Sequence, residues 1–151
     1  MRIALGADHA GVALKDRVKQ ALDERLLSYD DFGTTSEASV DYPDYALRVA
    51  RGIASGAYDR AILICGSGVG MAMAANKVPG VRAAAVTDAD AARLSREHND
   101  ANVVALAARS IRPDTALEII DAFLTTPFAG GRHQRRVDKI TAIERDGERT
   151  K

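Results

Sequence analysis

The feature that most constrains the fold of this chain is a repeated alternation of short apolar runs with longer amphipathic segments. Five runs of strand length are each followed by a segment of helix length, and no low-complexity linker interrupts the pattern. Strands that are apolar on both faces and alternate with helices predict a parallel sheet covered on both sides. We therefore expect an α/β fold, a right-handed three-layer α/β/α sandwich around a five-stranded parallel, Rossmann-like sheet.

The bounds of the expected elements follow from the same alternation. The predicted strands are Arg2–Gly6, Leu27–Phe32, Arg60–Cys65, Arg82–Thr87 and Asn102–Leu106. The predicted helices are Val12–Arg25, Tyr45–Ser55, Met71–Lys77, Ala89–Glu97, Asp114–Leu124 and part of Arg132–Glu144. The pattern leaves the order of the strands across the sheet open.

Length and charge limit what such a fold is expected to bind. A chain of 151 residues, 46% of them hydrophobic, predicts one domain over residues 1–151. Basic and acidic residues number 21 each, so no net charge draws the protein to nucleic acid or to an anionic membrane. One cysteine forms no internal disulfide, and the sequence shows neither a signal peptide nor a run of transmembrane length. We therefore expect a cytoplasmic protein.

The segment ILICGSGVGMAMAANK, residues 62–77, places the single cysteine, Cys65, between a predicted buried strand and three glycines. Gly66, Gly68 and Gly70 allow a sharp turn whose N–H groups approach an anion at the start of the next helix. A thiol at the N-terminal end of a helix also ionises more readily, which suits a base or a nucleophile. The segment therefore predicts an anion site beside a reactive thiol.

Polar side chains also follow other predicted strands. Asp8 and His9, in GADHAG, follow the first strand. Thr87, Asp88 and Asp90, in TDAD, follow the fourth. Because open parallel sheets bind ligands beyond the carboxyl ends of their strands, we expect these side chains at the same end of the sheet as the glycine-rich turn.

Two further groups lie outside the strand ends. His98 and Asn99, in REHNDANV, close a predicted helix and are expected at the opposite edge of the sheet, unless a long helix end or a partner chain returns them to the site. The densest group of cations lies in GGRHQRR, where Arg132 and Arg136 are four residues apart. On a helix these two arginines project from one face, where they would bind a phosphate together.

Each of these features has a simpler structural interpretation. A lone cysteine that ends a strand is usually a small buried hydrophobe, and a run of cations is usually a solvated face. His98 would also suit the dipole of a helix C-terminus, and Asp41 and Tyr42 would serve merely as a helix entry before Pro43. Together, however, a base, an oxyanion cradle, histidines and phosphate-binding arginines describe a sugar-phosphate isomerase.

Five segments carry a specific resemblance. GADHAG, DYPDYA, ILICGSGVGMAMAANK, SREHNDANV and GGRHQRRVDKI occur in this order, and the chain resembles the ribose-5-phosphate isomerase B family over nearly its whole length. The resemblance implies interconversion of ribose 5-phosphate and ribulose 5-phosphate without a cofactor or a metal. It also implies a homodimer with shared active sites, a tetramer being left open, in which the segment from about residue 131 reaches the partner. Other aldose phosphates, namely allose 6-phosphate, galactose 6-phosphate or a four-carbon phosphate, remain alternative substrates.

The resemblance also assigns roles to residues. It implies that Cys65 is the base that moves a proton between C1 and C2, and that His98, with Asp8, opens the furanose ring. Ser67 and the backbone N–H groups of Gly66, Gly68, Val69 and Gly70 would hold the enediolate oxygen. The remaining assignments are phosphate binding by His9, Arg109, Arg132 and Arg136, sugar contacts by Tyr42 and Asn99, and a supporting role for Asp41. Ser67 stands where many relatives have threonine, and Met71 stands where another branch has a glutamate base, so the chain fits the cysteine-dependent branch.

A nucleotide-binding module is the strongest alternative from another class. Gly66, Gly68 and the later Asp88 roughly imitate a dinucleotide-binding pattern, but the third glycine falls at Gly70 where the pattern requires position 71, here Met71. No Gly-Lys-Ser/Thr follows, which excludes a P-loop. A purely structural or regulatory homologue is less favoured, because no implied catalytic position is degraded.

Overall fold

The computed structural model describes residues 1–149 and forms one parallel sheet with helices on both faces. The strands are β1 (Arg2–Ala7), β2 (Ser28–Asp31), β3 (Arg60–Cys65), β4 (Ala83–Ala85) and β5 (Val103–Ala107). The helices are α1 (Val12–Glu24), α2 (Tyr42–Ala54), α3 (Val69–Ala75), α4 (Ala89–Asn99), α5 (Pro113–Thr125) and α6 (Arg132–Arg149), with a 3₁₀ turn at His9–Gly11. The predicted α/β/α sandwich with five parallel strands is confirmed.

The strand order is β2-β1-β3-β5-β4, and every neighbouring pair is parallel. The three central strands are almost wholly buried, whereas β2, with the sequence SYDD, alternates between exposed and half-buried residues at one edge. This difference follows from composition, because only strands that are apolar on both faces can be covered on both.

Side chains that alternate along the central strands divide the core into two layers. Ile62 and Ile64 of β3 pack with α1, α4 and α5 on one face. Leu63 and Cys65 pack with α2 and α3 on the other. The period of two in a strand therefore aims the Cys65 side chain toward α3, the helix that the glycine-rich turn begins.

Most element bounds agree with the sequence prediction, and two differences have visible causes. The prediction for β3 is confirmed residue for residue. The β4 strand ends at Ala85, two residues earlier than predicted, and Asp88 then caps α4 by accepting a hydrogen bond from the Ala91 N–H at 2.7 Å. The α2 helix begins at Tyr42, three residues earlier than predicted, with Pro43 in its first turn, where a missing N–H costs nothing.

The α4 helix ends at the amino edge of the sheet, held there by two arginines. Asp100 has the left-handed φ of 47°, and its carboxylate accepts hydrogen bonds from Arg82 (2.9 Å) and from the buried Arg96 (2.8 Å). Arg82 Nε also donates to the carbonyl oxygens of Asn99 (3.1 Å) and Asp100 (3.0 Å). These bonds fix the last turn of α4, which carries His98, beside the start of β5.

None of the helices in the described range is both long enough and apolar enough to cross a membrane.

Candidate active site

A cavity of about 430 Å³ opens at the carboxyl edge of the sheet, where the ends of β1, β3 and β5 meet. We call it the carboxyl-edge pocket, and it is lined by Asp8, Tyr42, Cys65, Gly66, Ser67, Gly70, Arg109 and Ser110. Seven of these eight residues are predicted site residues. The position agrees with the rule that open α/β sheets bind ligands beyond the carboxyl ends of their strands.

The thiol of Cys65 is buried and accepts a backbone hydrogen bond. The Gly68 N–H donates to Cys65 Sγ, with an N···S distance of 3.2 Å. Gly68 has a φ of +75°, and a β-carbon there would lie 3.1 Å from the Leu106 carbonyl carbon, so the turn requires glycine. This hydrogen bond holds the sulfur beside the glycine-rich turn, in the wall of the carboxyl-edge pocket.

Another N–H group of the turn is also engaged within the chain. The Val69 N–H donates to Ser67 Oγ at 3.3 Å. In the described part of the chain, the N–H groups of Gly66, Ser67 and Gly70 have no such partner. In this conformation these three groups, rather than the whole turn, are available to an anion in the pocket.

Two large side chains cover the glycines of the turn. A β-carbon on Gly66 would lie 3.1 Å from an Arg109 guanidinium nitrogen, and one on Gly70 would lie 2.7 Å from the Tyr42 ring. These glycines therefore let a cation and a phenol lie directly against the turn backbone. The backbone N–H of Arg109 also donates a hydrogen bond to the Gly66 carbonyl oxygen at 3.2 Å, which holds Arg109 beside the turn.

Asp8 and His9 lie in the short 3₁₀ turn after β1. Asp8 is buried, and its Oδ1 accepts the Ala10 N–H at 2.9 Å. His9 Nδ1 accepts the Val40 N–H at 3.2 Å, which requires that Nδ1 carry no proton. The proton of a neutral His9 is therefore on Nε2, where it can be donated to an anionic ligand.

The other predicted cationic and imidazole groups lie at the opposite edge of the sheet. The His98 and His133 rings are stacked, with centroids 4.3 Å apart and an angle of 8° between their planes. The Ala129 N–H donates to the Glu97 carbonyl at 3.1 Å, which joins the segment before α6 to the last turn of α4. We call this group the amino-edge cluster; it consists of His98, Asn99, Arg132, His133 and Arg136.

The electrostatics of the cluster are cationic. Loss of hydration lowers the pKa of His133 below its ordinary value of 6.5, and His98, Arg132 and Arg136 lower it further. Glu97 acts in the opposite direction. The His133 ring therefore favours its neutral form, while the arginines supply the positive charge that an anion would meet.

Within one chain the pocket and the cluster do not meet. They lie at opposite ends of strands such as β5, whose five residues at 3.3 Å each span roughly 16 Å. The expectation that His98 lies at the edge opposite the glycine-rich turn is confirmed. Asp41, at the N-cap of α2, is exposed and makes no side-chain hydrogen bond within residues 1–149, so its supporting role stays a prediction.

A second cavity, of about 450 Å³, also lies at the amino edge between α4, β4 and α6. It is lined by Asn76, Val81, Arg82, Ala83, Ala84, Ser95, Asn99, Ala101, Ile140, Ile143 and Glu144. Although it is slightly larger than the carboxyl-edge pocket, it contains neither the thiol nor the glycine-rich turn. Its size therefore does not make it the candidate active site.

Sequence reasoning missed two residues. Ser110 lines the carboxyl-edge pocket, and its place three residues after β5 would have indicated it by the strand-end rule. His133 lies in the charged run GGRHQRR, and nothing in the neighbouring sequence predicts that its ring stacks on His98. Among the residues that the structure describes, no three His, Cys, Asp or Glu side chains are grouped so that they would hold a metal ion.

The chain is similar to known proteins over most of its length. The sequence pattern of the Ribose/Galactose Isomerase family matches residues 3–140. Ribose-5-phosphate isomerase B of Escherichia coli is 48% identical over 143 residues, which cover 95% of this chain and 96% of that protein. The solved structure of Clostridium thermocellum ribose-5-phosphate isomerase B has a TM-score of 0.95 at 51% identity, covering 97% of this chain and 99% of that chain. A structure of the Mycoplasma genitalium ribose-5-phosphate isomerase B with bound ribulose-5-phosphate has a TM-score of 0.91 at 42% identity, covering 95% and 96%.

Proposed function

Because this chain belongs to the ribose/galactose isomerase family, we propose that it interconverts ribose 5-phosphate and ribulose 5-phosphate through an enediolate, with Cys65 as the base. The observation that carries the proposal is the Gly68 N–H···Sγ hydrogen bond of 3.2 Å in a pocket that also contains Ser67 and Arg109. This arrangement places the thiol beside donors for an oxyanion.

The reaction moves one proton between neighbouring carbons. In the open aldose, the Cys65 thiolate removes the proton on C2, and the C–H electron pair becomes the C1–C2 double bond of the enediolate. The negative charge develops on O1, and the O2 hydroxyl gives its proton to O1. The thiol then returns its proton to C1, which leaves a hydroxymethyl group at C1 and a carbonyl at C2. A thiol suits this exchange because both of its protonation states are accessible near neutral pH.

The enediolate is stabilised by the turn that follows β3. The N–H groups of Gly66, Ser67 and Gly70 have no other partner within residues 1–149, so they would donate to O1 as its charge grows. Donors that are already in place cost no reorganisation during the reaction, and removing one typically costs about 10²–10³ in kcat. The Tyr42 ring, held against Gly70, would close the pocket over the sugar.

Ring opening and part of the phosphate binding require groups from the amino-edge cluster. In this proposal His98 opens the furanose ring with Asp8, and Arg132 and Arg136 bind phosphate together with His9 and Arg109. The pocket and the cluster lie roughly a strand length apart in one chain, so the proposal needs a homodimer in which each pocket faces the partner's cluster. α6, which begins at Arg132, would then make the contact between chains.

The substrate is tested by comparing aldose phosphates. A pocket of about 430 Å³ accommodates sugar phosphates of several lengths, so its volume does not indicate which of them is the substrate. We expect the highest kcat/KM for ribose 5-phosphate, measured against allose 6-phosphate and erythrose 4-phosphate. Thermal stabilisation by AMP or NAD, with none by ribose 5-phosphate, would overturn the proposal in favour of a nucleotide-binding module. An enzyme of free sugar phosphates is expected in the cytoplasm, because these dianions do not cross membranes unaided.

A further inference from the structure

The His98 imidazole packs face to face against His133, and we propose that His133 is a positioning residue that fixes the orientation of the His98 ring. This inference rests on the proposed function, in which His98 opens the furanose ring. The ring centroids are 4.3 Å apart and the planes differ by 8°, which is a close parallel stack. Such contact restricts the side-chain torsions of both rings.

His133 is the contact that orients His98. Within the described range, the His98 imidazole makes no side-chain hydrogen bond, and its residue is only partly buried at the end of α4. An imidazole held by neither a hydrogen bond nor packing rotates between rotamers, and only some of them aim a ring nitrogen at a given oxygen. A general acid or base must lie within hydrogen-bond reach of its substrate atom, so this freedom would reduce the rate.

Backbone hydrogen bonds in the segment before α6 fix the position of His133. Gly130 and Gly131 have φ values of +61° and +54°, which reverse the chain before α6. The Ala129 N–H donates to the Glu97 carbonyl at 3.1 Å, and the His133 N–H donates to the Gly130 carbonyl at 3.0 Å. The first turn of α6 is therefore anchored to the residue that precedes His98, which sets the distance between the two rings.

Charge around the stack suits a ring that remains neutral. Arg132 and Arg136 lie on α6, the same helix as His133, and Glu97 lies on the facing turn of α4. Loss of hydration, followed by the fields of His98 and the two arginines, lowers the pKa of His133. A neutral His133 ring can remain stacked when His98 gains a proton, because an aromatic face tolerates one neighbouring cation.

The two substrates of the reaction separate ring opening from proton transfer. Ribose 5-phosphate is mainly a furanose and must be opened before C2 can lose its proton. Ribulose 5-phosphate cannot close a five-membered ring, because its O5 carries the phosphate, and it enters the reaction open. The aldose formed from it can leave in open form and close in solution. Loss of His98 orientation should therefore lower kcat for the aldose, which binds as a furanose, far more than kcat for the ketose. Because the equilibrium constant fixes the ratio of the two kcat/KM values, KM for the aldose should fall together with its kcat.

The test compares initial rates with each substrate for His133→Ala, His133→Phe and the control Gln134→Ala, in the full-length protein. Gln134 lies in the same helical turn, and its side chain bonds Asp138 at 2.8 Å instead of packing on His98. We expect His133→Ala to lower kcat for ribose 5-phosphate by about tenfold or more, and to leave kcat for ribulose 5-phosphate within about threefold. The Phe variant should restore the aldose rate to within about threefold of the original, because it keeps a flat ring on His98.

Several results would overturn the inference. Equal losses with both substrates would assign His133 a structural or phosphate-binding role, and an aldose rate unchanged in His133→Ala would show that the stack has no role. Failure of Phe to restore the rate would show that the imidazole acts through its polar atoms. His98→Ala distinguishes this inference from the function on which it rests. If His98→Ala slows the aldose selectively and His133→Ala does not, only the positioning role fails; if His98→Ala is not selective, ring opening by His98 fails.

Discussion

The two edges of the sheet bear different kinds of chemistry, built in different ways. At the carboxyl edge, backbone atoms and residues directly after strands form the pocket: a thiol that accepts a Gly68 N–H, and glycines covered by Arg109 and Tyr42. At the amino edge, long side chains from two helices form the cluster, and its central contact is a stack of two imidazoles. One edge presents a thiol and backbone N–H groups, and the other presents cations and histidines.

The difference explains why one chain separates the two groups of residues. In a parallel sheet every strand points the same way, so strand ends gather at one edge and helix ends at the other. A thiol at the end of a strand and an imidazole at the end of a helix are therefore separated by roughly the length of a strand. Under the proposed function, a second copy of the chain would have to present its amino edge to the carboxyl-edge pocket in order to combine them.

The largest effect is expected at the carboxyl edge. Replacing Cys65 by Ala removes the proposed proton carrier, and kcat should fall by about 10²–10⁴ with either substrate. The side chain is small and buried, so the unfolding transition and the binding of ribose 5-phosphate should change little. Activity within about threefold of the original would exclude Cys65 as the general base.

The link between the edges is tested by mixing two inactive variants. Replacing Arg132 and Arg136 together by Ala should raise KM strongly and also lower kcat, because phosphate binding orients the reacting carbons. When this variant is refolded with Cys65→Ala, each heterodimer contains one site with both lesions and one site with neither. Random mixing should return roughly a quarter of the original activity. Heterodimers that are detected by mass but remain inactive would show that pocket and cluster serve the same chain.

A smaller effect is expected where the pocket depends on the Tyr42 ring lying close to the backbone of Gly70. Gly70→Ala adds a β-carbon 2.7 Å from the Tyr42 ring, so the ring must move away from the turn. Since Gly70 lies in α3, alanine should not destabilise the helix itself. We expect KM for ribose 5-phosphate to rise by about tenfold while the melting temperature is kept. Tyr42→Ala is the matched variant, and a KM unchanged in both would remove Tyr42 from the site.

The smallest effect concerns acid stability of the ion pairs behind the carboxyl edge. Partial burial raises the pKa of Asp31, but hydrogen bonds from Lys15, the Gly33 N–H and Lys19 outweigh this and lower it below its ordinary value of 3.8. The folded state binds this proton less readily than the unfolded chain does. The stabilisation is therefore present above pH 3.8 and lost as the pH falls through the lowered pKa.

Asp31→Asn should weaken this acid dependence. At neutral pH the melting temperature should fall by about 2–4 °C, and the difference from the original protein should shrink as the pH falls below 3.8. The exposed Glu37→Gln serves as the matched control and should leave the profile unchanged. A difference in melting temperature that stays constant down to low pH would show that Asp31 stabilises the fold through packing rather than through its negative charge.

The amino-acid sequence by itself determined the parallel α/β sandwich and the part of the carboxyl-edge pocket that directly follows strands, namely Asp8, Cys65 and the glycine-rich turn. The β3 strand, the turn that follows Cys65 and the position of Asp8 depend on patterns only a few residues long, such as apolar runs and glycines with special φ values. These local preferences act within one segment and do not depend on contacts with the rest of the chain. In a parallel sheet, the residues that follow the strands all lie at the carboxyl edge.

Only the tertiary structure decided the strand order, the approach of Arg109 and Tyr42 to the glycines, and the stack of His98 on His133. These features join segments separated by many residues, and each segment alone is compatible with several partners. The stack requires the reversal at Gly130 and Gly131 and the bond from Ala129 to Glu97, which form only when α6 returns to α4. Contacts between distant segments depend on the packing of the whole core, and for that reason no short pattern in the sequence encodes them.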